Sequence, residues 1–274
     1  MELLIQFLKY DIEFRICGAV KSLEFIGEPA RKALVKGLKD EDWFVRRYVA
    51  MVLGKIGGEG VIEALREALK DKHYIVQYYV AEAYEKLGGF PANDIEKAYY
   101  FIGKGDWDGL IELGEPAVEP LRWVFSLPLV DEGESINLRY VAACTLGKMG
   151  DEQMIKHLIQ DLENENEDIL YRIKAAETLG NIGDKRAVIP LINTLKDKIR
   201  NVRYYAAWGL EKLGWEPKNE NEKAHYLIAK EQWDELTKLG KVALEPLKVF
   251  MNDIDEDIQK ATKKVLKEVI ERNM

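Results

Sequence analysis

Histidine and cysteine, the residues that most often bind metals, are few and scattered in this sequence. The three histidines, His73, His157 and His225, lie far apart, and none has a histidine or cysteine four residues away. Such a pair would place two ligands on one helix face. The two cysteines, Cys17 and Cys144, lie more than a hundred positions apart, and the repeat array inferred below keeps them apart in space. We therefore expect no metal, no cofactor and no disulfide.

Motifs for phosphate binding and nucleophilic catalysis are also missing. The sequence has no Gly-x-Gly-x-x-Gly, no Gly-x-Ser-x-Gly and no Walker-type loop. Asp106 and Asp108 form a carboxylate pair, but a chain with 48 acidic residues produces such pairs readily. The sequence predicts no catalytic residue, and we expect that the protein is not an enzyme.

An internal duplication indicates which elements position the remaining side chains. Residues 76–124 align without a gap on residues 202–250, and 25 of the 49 aligned pairs are identical. A chain that reuses one structural unit at a fixed period is built by stacking that unit. The duplication predicts a solenoid, and solenoids usually bind other molecules.

A shorter period is marked by glycines that close helix-like runs. Each run has apolar residues at helical spacing, as at residues 45–56. Glycine suits the position after a helix because the residue there often adopts a positive φ, which glycine reaches without strain. The closing glycines recur at 30 to 33 residues, apart from one interval of 62: Gly27, Gly57, Gly88, Gly150, Gly183 and Gly214.

The period predicts seven units of two helices each and two compact inserts. No run of alternating apolar and polar residues competes with this interpretation, so strands are not expected. The fold class is all-α, a single α-solenoid array over residues 1–274. Pro120, Pro190 and Pro246 fall inside first helices, where each is expected to cause a kink. The predicted helix pairs are 2–9 and 11–26, 29–39 and 42–56, 60–70 and 73–87, 116–126 and 135–149, 152–163 and 167–182, 185–196 and 199–213, and 242–252 and 255–272, with inserts at 93–113 and 219–239.

The second helices share the pattern Val-Arg-x-x-Ala-Ala-x-x-Leu-Gly-x-x-Gly, most clearly at residues 45–57, 171–183 and 202–214. Together with two helices per unit and a proline in the first helix, this pattern resembles HEAT repeats, in particular the short type named after phycobilisome lyases. The resemblance covers nearly the whole chain and implies an armadillo-type fold. HEAT-repeat hydroxylases that hold two irons use His-Glu pairs, and no histidine here is followed by glutamate.

Second-helix positions opposite the apolar stripe form the candidate binding site. In HEAT-like arrays the second helices line the concave side, and a helix of ~3.6 residues per turn places these positions away from the core. Tyrosine, tryptophan, methionine and arginine are enriched there, as they are in protein interfaces. An alternative is that the tyrosines fill gaps between the second helices of a tightly curved array. The predicted protein-binding residues are Arg47, Tyr48, Met51, Tyr78, Tyr79, Glu82, Tyr140, Cys144, Ile173, Glu177, Tyr204, Tyr205 and Trp208.

Some recurring residues are better explained by folding than by binding. Arg46, Arg139, Arg172 and Arg203 occupy one equivalent position, and we expect them to pair with acidic residues of the adjoining turns. Trp107 and Trp233 recur in the two inserts and are interpreted as core anchors.

The charge pattern bears on the partner. The net charge is −8, and acidic residues cluster in turns such as 39–42, 163–168 and 252–257. Most of these acidic residues are expected to cap helices. In a stacked array these turns lie along one edge, which is therefore predicted to be acidic. An acidic edge argues against binding of nucleic acid, which needs clustered Lys and Arg, and favours a basic partner.

The N-terminal segment lacks the features of a signal peptide, because it has no positive start and Gln6 and Lys9 interrupt its apolar residues. No stretch of 18 apolar residues occurs, so we expect no membrane span and a cytoplasmic protein. Apolar residues cover most of the first helix, which predicts either self-association through it or burial against the second helix: Leu3, Leu4, Ile5, Phe7 and Leu8.

These features predict a noncatalytic scaffold that holds a peptide or a helix of a partner protein on its concave face. A bilin-lyase-like enzyme or other HEAT-repeat enzyme subunit is an alternative that the repeat subfamily alone suggests. A HEAT-like nucleic-acid-binding protein or DNA glycosylase is a further alternative. It would need a basic concave face, which the candidate residues do not supply.

Overall fold

The computed structural model describes residues 4–5, 8, 13–128 and 134–272, with side chains described for Leu4, Ile5, Leu8, 17–128 and 136–272. In these ranges the chain forms helices, turns and loops and no strand, so the predicted all-α class is confirmed. The chain divides into two compact units, Met1–Thr145 and Leu146–Met274.

The first unit contains helix pairs at the predicted places. A compact pair, α6 and α7, occupies the first predicted insert. The helices are α1 (Glu13–Ile26), α2 (Glu28–Gly37), α3 (Trp43–Ile56), α4 (Val61–Ala68), α5 (Tyr74–Lys86), α6 (Asp94–Lys104), α7 (Trp107–Leu113), α8 (Glu115–Ser126) and α9 (Glu134–Lys148), which continues into the second unit.

The second unit repeats this organisation, and α14 and α15 form its compact pair. Two short 3₁₀ helices, Lys185–Ala187 and Gly240–Ala243, precede α12 and α16. The α-helices are α10 (Glu152–Glu163), α11 (Ile169–Ile182), α12 (Val188–Thr194), α13 (Arg200–Lys212), α14 (Glu220–Ala229), α15 (Trp233–Lys238), α16 (Leu244–Val249) and α17 (Glu256–Arg272).

Small residues allow second helices to pack closely within each unit. Helices α3 and α5 make an extensive contact in the first unit, as do α11 and α13 in the second. A Cβ added at Gly54 would lie 2.7 Å from the Cβ of Ala83, and one at Gly180 would lie 2.6 Å from the Cα of Gly209. Because real atoms do not approach so closely, a larger residue at either glycine would force the helices apart.

The six closing glycines all follow helix ends, as the sequence predicts. Gly57 has a φ of 58° and Gly183 a φ of 83°, a region that other residues enter only with strain.

The three prolines of the first helices lie at two kinds of position. Pro120 lies inside α8, which continues through it. Pro190 and Pro246 instead lie at the third position of α12 and α16, each just after a 3₁₀ helix. The first helices predicted at 185–196 and 242–252 therefore begin with a 3₁₀ turn, and their α-helical parts are shorter than predicted. A proline has no N–H for the carbonyl four residues before it, and the preceding turn uses the tighter 3₁₀ pattern.

Arginines link successive repeats, as predicted, at three of the four equivalent positions. The Arg46 Nε donates to Asp71 at 2.6 Å, and the Arg172 Nη2 pairs with Asp197. In the second unit Arg203 Nη2 lies 2.9 Å from Asp253. All of these side chains are almost inaccessible to solvent. A charge pair so deeply buried must be kept intact, because one partner alone would be an uncompensated charge.

Arg139, the fourth arginine of this set, which we call the arginine ladder, has a different partner. Its Nη2 donates 2.8 Å to the carbonyl of Leu127. The acidic turn that follows Leu127 falls partly at residues 129–133, outside the described residues.

The aspartates that pair with these arginines also order the turn that leads into the second helix of their own repeat. Asp71 accepts from the backbone N–H of His73 at 2.8 Å, and Asp197 accepts from that of Ile199 at 2.8 Å. Asp253 accepts from the N–H of Asp255, also at 2.8 Å. Each carboxylate thus orders its own turn while it binds the arginine of an earlier repeat.

At the N-terminus, Ile5 and Leu8 are buried in the first unit. Leu3 and Phe7, which also belong to the predicted self-association surface, lie outside the described residues. Self-association through this helix stays a prediction.

Candidate protein-binding site

In the first unit, four predicted site residues from α3 and α5 contact one another. The Arg47 Nη2 donates to the Tyr79 hydroxyl at 3.1 Å. Its guanidinium carbon lies 5.0 Å from the ring centroid of Tyr48 and 4.7 Å from that of Tyr79. Tyr78 packs edge-on against Tyr79 with centroids 5.3 Å apart. We call these four residues the N-terminal aromatic cluster; Tyr78 is 46% exposed and the other three are half-buried.

One helical turn after Tyr78, Glu82 pairs with a lysine of the compact insert, which also pairs with a second glutamate. The Lys104 Nζ pairs with the predicted site residue Glu82 and lies 2.8 Å from Glu85. The bonds to Glu82 and Glu85 raise the pKa of Lys104, and the bond from Lys104 lowers the pKa of Glu85. Met51, the remaining predicted residue here, is half-buried.

In the second unit, α13 carries an equivalent arrangement. Tyr204 packs edge-on against Tyr205, with ring centroids 5.6 Å apart. The Lys230 Nζ lies 4.8 Å from the ring centroid of Tyr204. Lys230 also lies 3.2 Å from Glu211, which accepts a 2.5 Å hydrogen bond from the Tyr226 hydroxyl. We call these five residues the C-terminal aromatic cluster. Burial and the bond to Glu211 raise the pKa of Tyr226, so its hydroxyl keeps its proton.

The other predicted residues of the second unit lie nearby in the sequence but are less exposed than expected. Trp208 is half-buried, with the Lys212 Nζ 5.0 Å from its ring centroid. Glu177 forms a 3.0 Å ion pair with Lys174. Ile173 is half-buried.

The expectation that these positions point into solvent is wrong for Tyr140, which is only 5% exposed. Tyr140 lies one helical turn before the fully buried Ala143 and shares that side of α9. Cys144, in the same helix, is half-buried. Of the predicted residues, Tyr78 and Tyr204 are the most exposed tyrosines, and the half-buried rings serve partly as packing between helices.

Sequence reasoning missed three positions in or beside the clusters, two on each compact insert and one on the second helix before it. Their signal is present in the duplication, because they are polar residues identical in both copies and outside the turns. These residues are Glu85 and Glu211, Tyr100 and Tyr226, and Lys104 and Lys230.

The acidic turns contribute less free charge than the sequence suggests. Asp42 and Asp168 cap α3 and α11 by accepting backbone N–H groups, and the ladder aspartates Asp71, Asp197 and Asp253 are paired with arginines. The argument for a basic partner from these turns is therefore weakened, because the fold itself uses these carboxylates.

The histidines do not converge. His73 stacks on Trp43 with centroids 3.9 Å apart, and His157 lies 3.6 Å from Asp161. His225 is buried, and desolvation lowers its pKa. Over the ranges that the structure describes, no group of histidine, cysteine and acidic residues could hold a metal ion. The same ranges contain no helix that combines the length and apolar character needed to cross a bilayer.

Stacked helix pairs joined by buried arginine–aspartate pairs define a helical-repeat protein of the α-solenoid class. The family model for HEAT repeats matches residues 1–85 and 155–230, more than half of the sequence. The chain belongs to the HEAT-repeat family, which confirms the resemblance seen in the sequence. Comparison with curated proteins gives no match.

Several solved structures are similar to the chain at low identity. Human deoxyhypusine hydroxylase in complex with glycerol is 17% identical over 98% of this chain and 96% of that chain, with a TM-score of 0.28. YibA of Escherichia coli is 15% identical over 97% and 92%, with a TM-score of 0.39. The complex of CpcE and CpcF of phycocyanin lyase from Nostoc sp. is 18% identical over 84% and 93%, with a TM-score of 0.31. At these identities and TM-scores, none of the three bears on the function of this chain.

Proposed function

We propose that this HEAT-repeat protein is a noncatalytic scaffold that binds a peptide or a helix of a partner protein on the second-helix faces carrying the two aromatic clusters. The observation that carries the proposal is the placement of Tyr78 and Tyr204. They occupy equivalent positions of the duplication, and the two residues are 46% and 40% exposed. Each ring is braced by a neighbouring tyrosine, so little side-chain entropy remains to be lost on binding.

The electrostatics of the clusters favour binding over catalysis. Lysine and tyrosine act as nucleophiles or bases only after losing a proton, which requires a lowered pKa. Here the pKa of Lys104 is raised by Glu82 and Glu85, and the pKa of Tyr226 is raised by burial and Glu211. Both groups hold their protons more firmly than usual.

A protein partner fits these faces better than nucleic acid does. Affinity for phosphate backbones depends on Lys and Arg that are free to displace counterions. Lys104 and Lys230 are held by carboxylates of the chain itself. Large aromatic rings beside neutralised charges are typical of protein interfaces.

Photo-crosslinking in the source cell tests the proposal. A photoreactive phenylalanine analogue is placed at position 78, 204 or, as the matched control, at Phe90, which is 79% exposed and belongs to neither cluster. We expect cross-links to a defined segment of one protein from positions 78 or 204 and not from position 90. With that segment as a peptide, Tyr78→Ala or Tyr204→Ala should weaken binding by ~2 kcal/mol, about 30-fold.

Exposed tyrosines make this test cleaner than their half-buried neighbours. Replacing Tyr79, Tyr205 and Trp208 together by alanine would also remove packing and lower the melting temperature. The proposal fails if the folded protein gives no cross-link from either position, or if the two alanine variants bind the captured segment as tightly as the unaltered chain.

A further inference from the structure

Arg47 has no carboxylate partner among the residues that the structure describes, in a chain with a net charge of −8. Its contacts are the Tyr79 hydroxyl and the rings of Tyr48 and Tyr79. Its Nε is buried and makes no hydrogen bond. The next arginine in the chain, Arg46, instead binds both oxygens of Asp71. Since a guanidinium does not deprotonate in proteins, Arg47 is an uncompensated positive charge held between two aromatic rings.

The helix that packs against α3 carries a glycine at the equivalent position of its own repeat. Helix α1 packs against α3, and the 30-residue period from Gly27 to Gly57 makes Gly18 the equivalent of Tyr48. A Cβ at Gly18 would meet no atom within 4 Å. Lys21, exposed one turn further along α1, adds a second positive charge. A glycine thus stands where the next two repeats have Tyr48 and Tyr79, and the space that its Cβ would take is open.

We propose that the N-terminal aromatic cluster recognises an acidic side chain, aspartate or glutamate, in the partner segment, and that Arg47 is the ion-pairing donor. This inference rests on the proposed function and names the chemistry of one of its two faces. The tyrosine rings fix the guanidinium in place and reduce its contact with water, which strengthens an ion pair with a bound carboxylate.

A carboxylate fits this donor better than a phosphate group does. The Arg47 Nη2 already donates to Tyr79 and the Nε is covered, so few N–H groups remain for a ligand. A carboxylate carries one negative charge, whereas a phosphate monoester carries nearly two and has three acceptor oxygens. One guanidinium with few free N–H groups is sufficient for the single charge of a carboxylate but not for a phosphate group.

The duplication supplies an internal control. The equivalent of Arg47 in the second unit is Ile173, so the C-terminal aromatic cluster has no arginine at this position. Selectivity for an acidic residue is therefore a property of the first unit.

Peptide selection tests the inference. A displayed library of random 16-residue peptides is selected on the full chain, and binders that need Tyr78 are identified by their loss on the Tyr78→Ala variant. We expect aspartate and glutamate to be enriched in these binders. Fluorescence anisotropy then compares the best peptide with its glutamine-for-glutamate analogue, on the unaltered chain and on Arg47→Met.

The four affinities form a double-mutant cycle. Each change alone should weaken binding about 10-fold, and both together should weaken it no further, because they remove the same ion pair. Arg47→Lys should keep part of the affinity. Since Arg47 also braces Tyr79, the glutamine peptide on the unaltered chain tests the charge without altering the fold.

Several outcomes would overturn the inference. Binders that depend on Tyr78 but show no enrichment in acidic residues, or losses that simply add, exclude Arg47 as the donor. A phosphoserine peptide that binds over 10-fold more tightly than the glutamate peptide shows that phosphate is the ligand. Binders that are indifferent to both Tyr78→Ala and Tyr204→Ala contradict the proposed function itself, which is a separate result.

Discussion

The two copies of the duplicated segment carry different side chains, with different bonds, at one buried position. Gln77 in the first unit and Arg203 in the second are equivalent, and each donates 2.7 Å to a carbonyl of its own preceding turn, that of Asp71 or Asp197. Arg203 additionally pairs with Asp253. At the same offset, the first unit has Leu127 in place of that aspartate.

Both members of the ion pair, Arg203 and Asp253, are therefore replaced by uncharged residues in the first copy. The bond to the turn carbonyl is present in both copies, and the ion pair in only one. Burial lowers the pKa of Arg203 while Asp253 opposes that effect, which shows the desolvation that the pair must overcome. The comparison indicates that the fold needs the carbonyl bond, whereas the ion pair can be replaced as a unit.

Breaking the ion pair should have the largest effect. Arg203→Met leaves Asp253 buried and unpaired and should lower the free energy of unfolding by ~3 to 5 kcal/mol. Gln77→Met removes only a neutral hydrogen bond and should cost ~1 to 2 kcal/mol. Urea unfolding followed by circular dichroism measures both.

A double variant sharpens this comparison. Arg203→Gln with Asp253→Leu restores the side-chain types of the first copy and should recover part of the loss, because Asp253→Leu also removes the bond from the Asp255 N–H. Equal losses for Arg203→Met and Gln77→Met would show that the two positions do not differ as described.

An intermediate effect on stability is expected at the position where the first copy has Tyr99 and the second has His225. Burial lowers the pKa of His225 from 6.5, and Lys196 adds to the shift while the bond to the Asn221 carbonyl opposes it. The unfolded chain therefore binds a proton at a higher pH than the folded chain does. The stability contributed by neutral His225 is fully present above about pH 6.5 and is lost as the pH falls towards the lowered pKa.

This loss should have a slope of at most ~1.4 kcal/mol per pH unit, the limit for one proton. His225→Tyr, which copies the first unit, should flatten the profile between pH 7 and pH 5. Urea unfolding at several pH values measures it, and an unchanged slope in the variant would assign the dependence to another group.

The smallest effect is expected where the copies have Gly105 and Glu231. Both adopt a positive φ, 67° and 57°. Glu231 binds Arg200 through two contacts of 2.7 Å, whereas the first unit has Tyr74 in place of that arginine. Gly105→Glu should destabilise by ~1 kcal/mol, because the strain gains no compensating pair.

The reverse change, Glu231→Gly, should alter stability by less than ~0.5 kcal/mol, because relief of strain offsets the loss of a half-exposed ion pair. Thermal melting of both variants at equal protein concentration compares them. A larger loss for Glu231→Gly than for Gly105→Glu would reverse the interpretation.

Sequence periodicity was sufficient for the helix pairs, the closing glycines and the compact inserts, because these depend on apolar spacing and on backbone freedom at single residues such as Gly57 and Gly183. The arginine ladder was also predictable, since equivalent residues of stacked repeats meet neighbouring turns. Each of these features follows from local pattern and a known period.

Packing between helices was harder to predict. Tyr140 is buried although its helix position suggested exposure, because a side chain at the border of the apolar stripe is covered or open depending on its neighbours. Lys230 reaches Tyr204, and Lys104 reaches Glu82 and Glu85, from inserts whose orientation the sequence does not specify. The candidate site was therefore found in outline, through Tyr78 and Tyr204, but without its charged neighbours.

The ladder aspartates connect the folding of one repeat to that of another. Asp71 starts α5 through its bond with the His73 N–H while it holds Arg46 of the repeat before. When the earlier repeat unfolds, Asp71 becomes a charge without its partner, and the first turn of α5 is weakened as well. Unfolding should therefore spread from repeat to repeat within a unit, and amide hydrogen exchange should report shared opening energies for helices joined by such a pair.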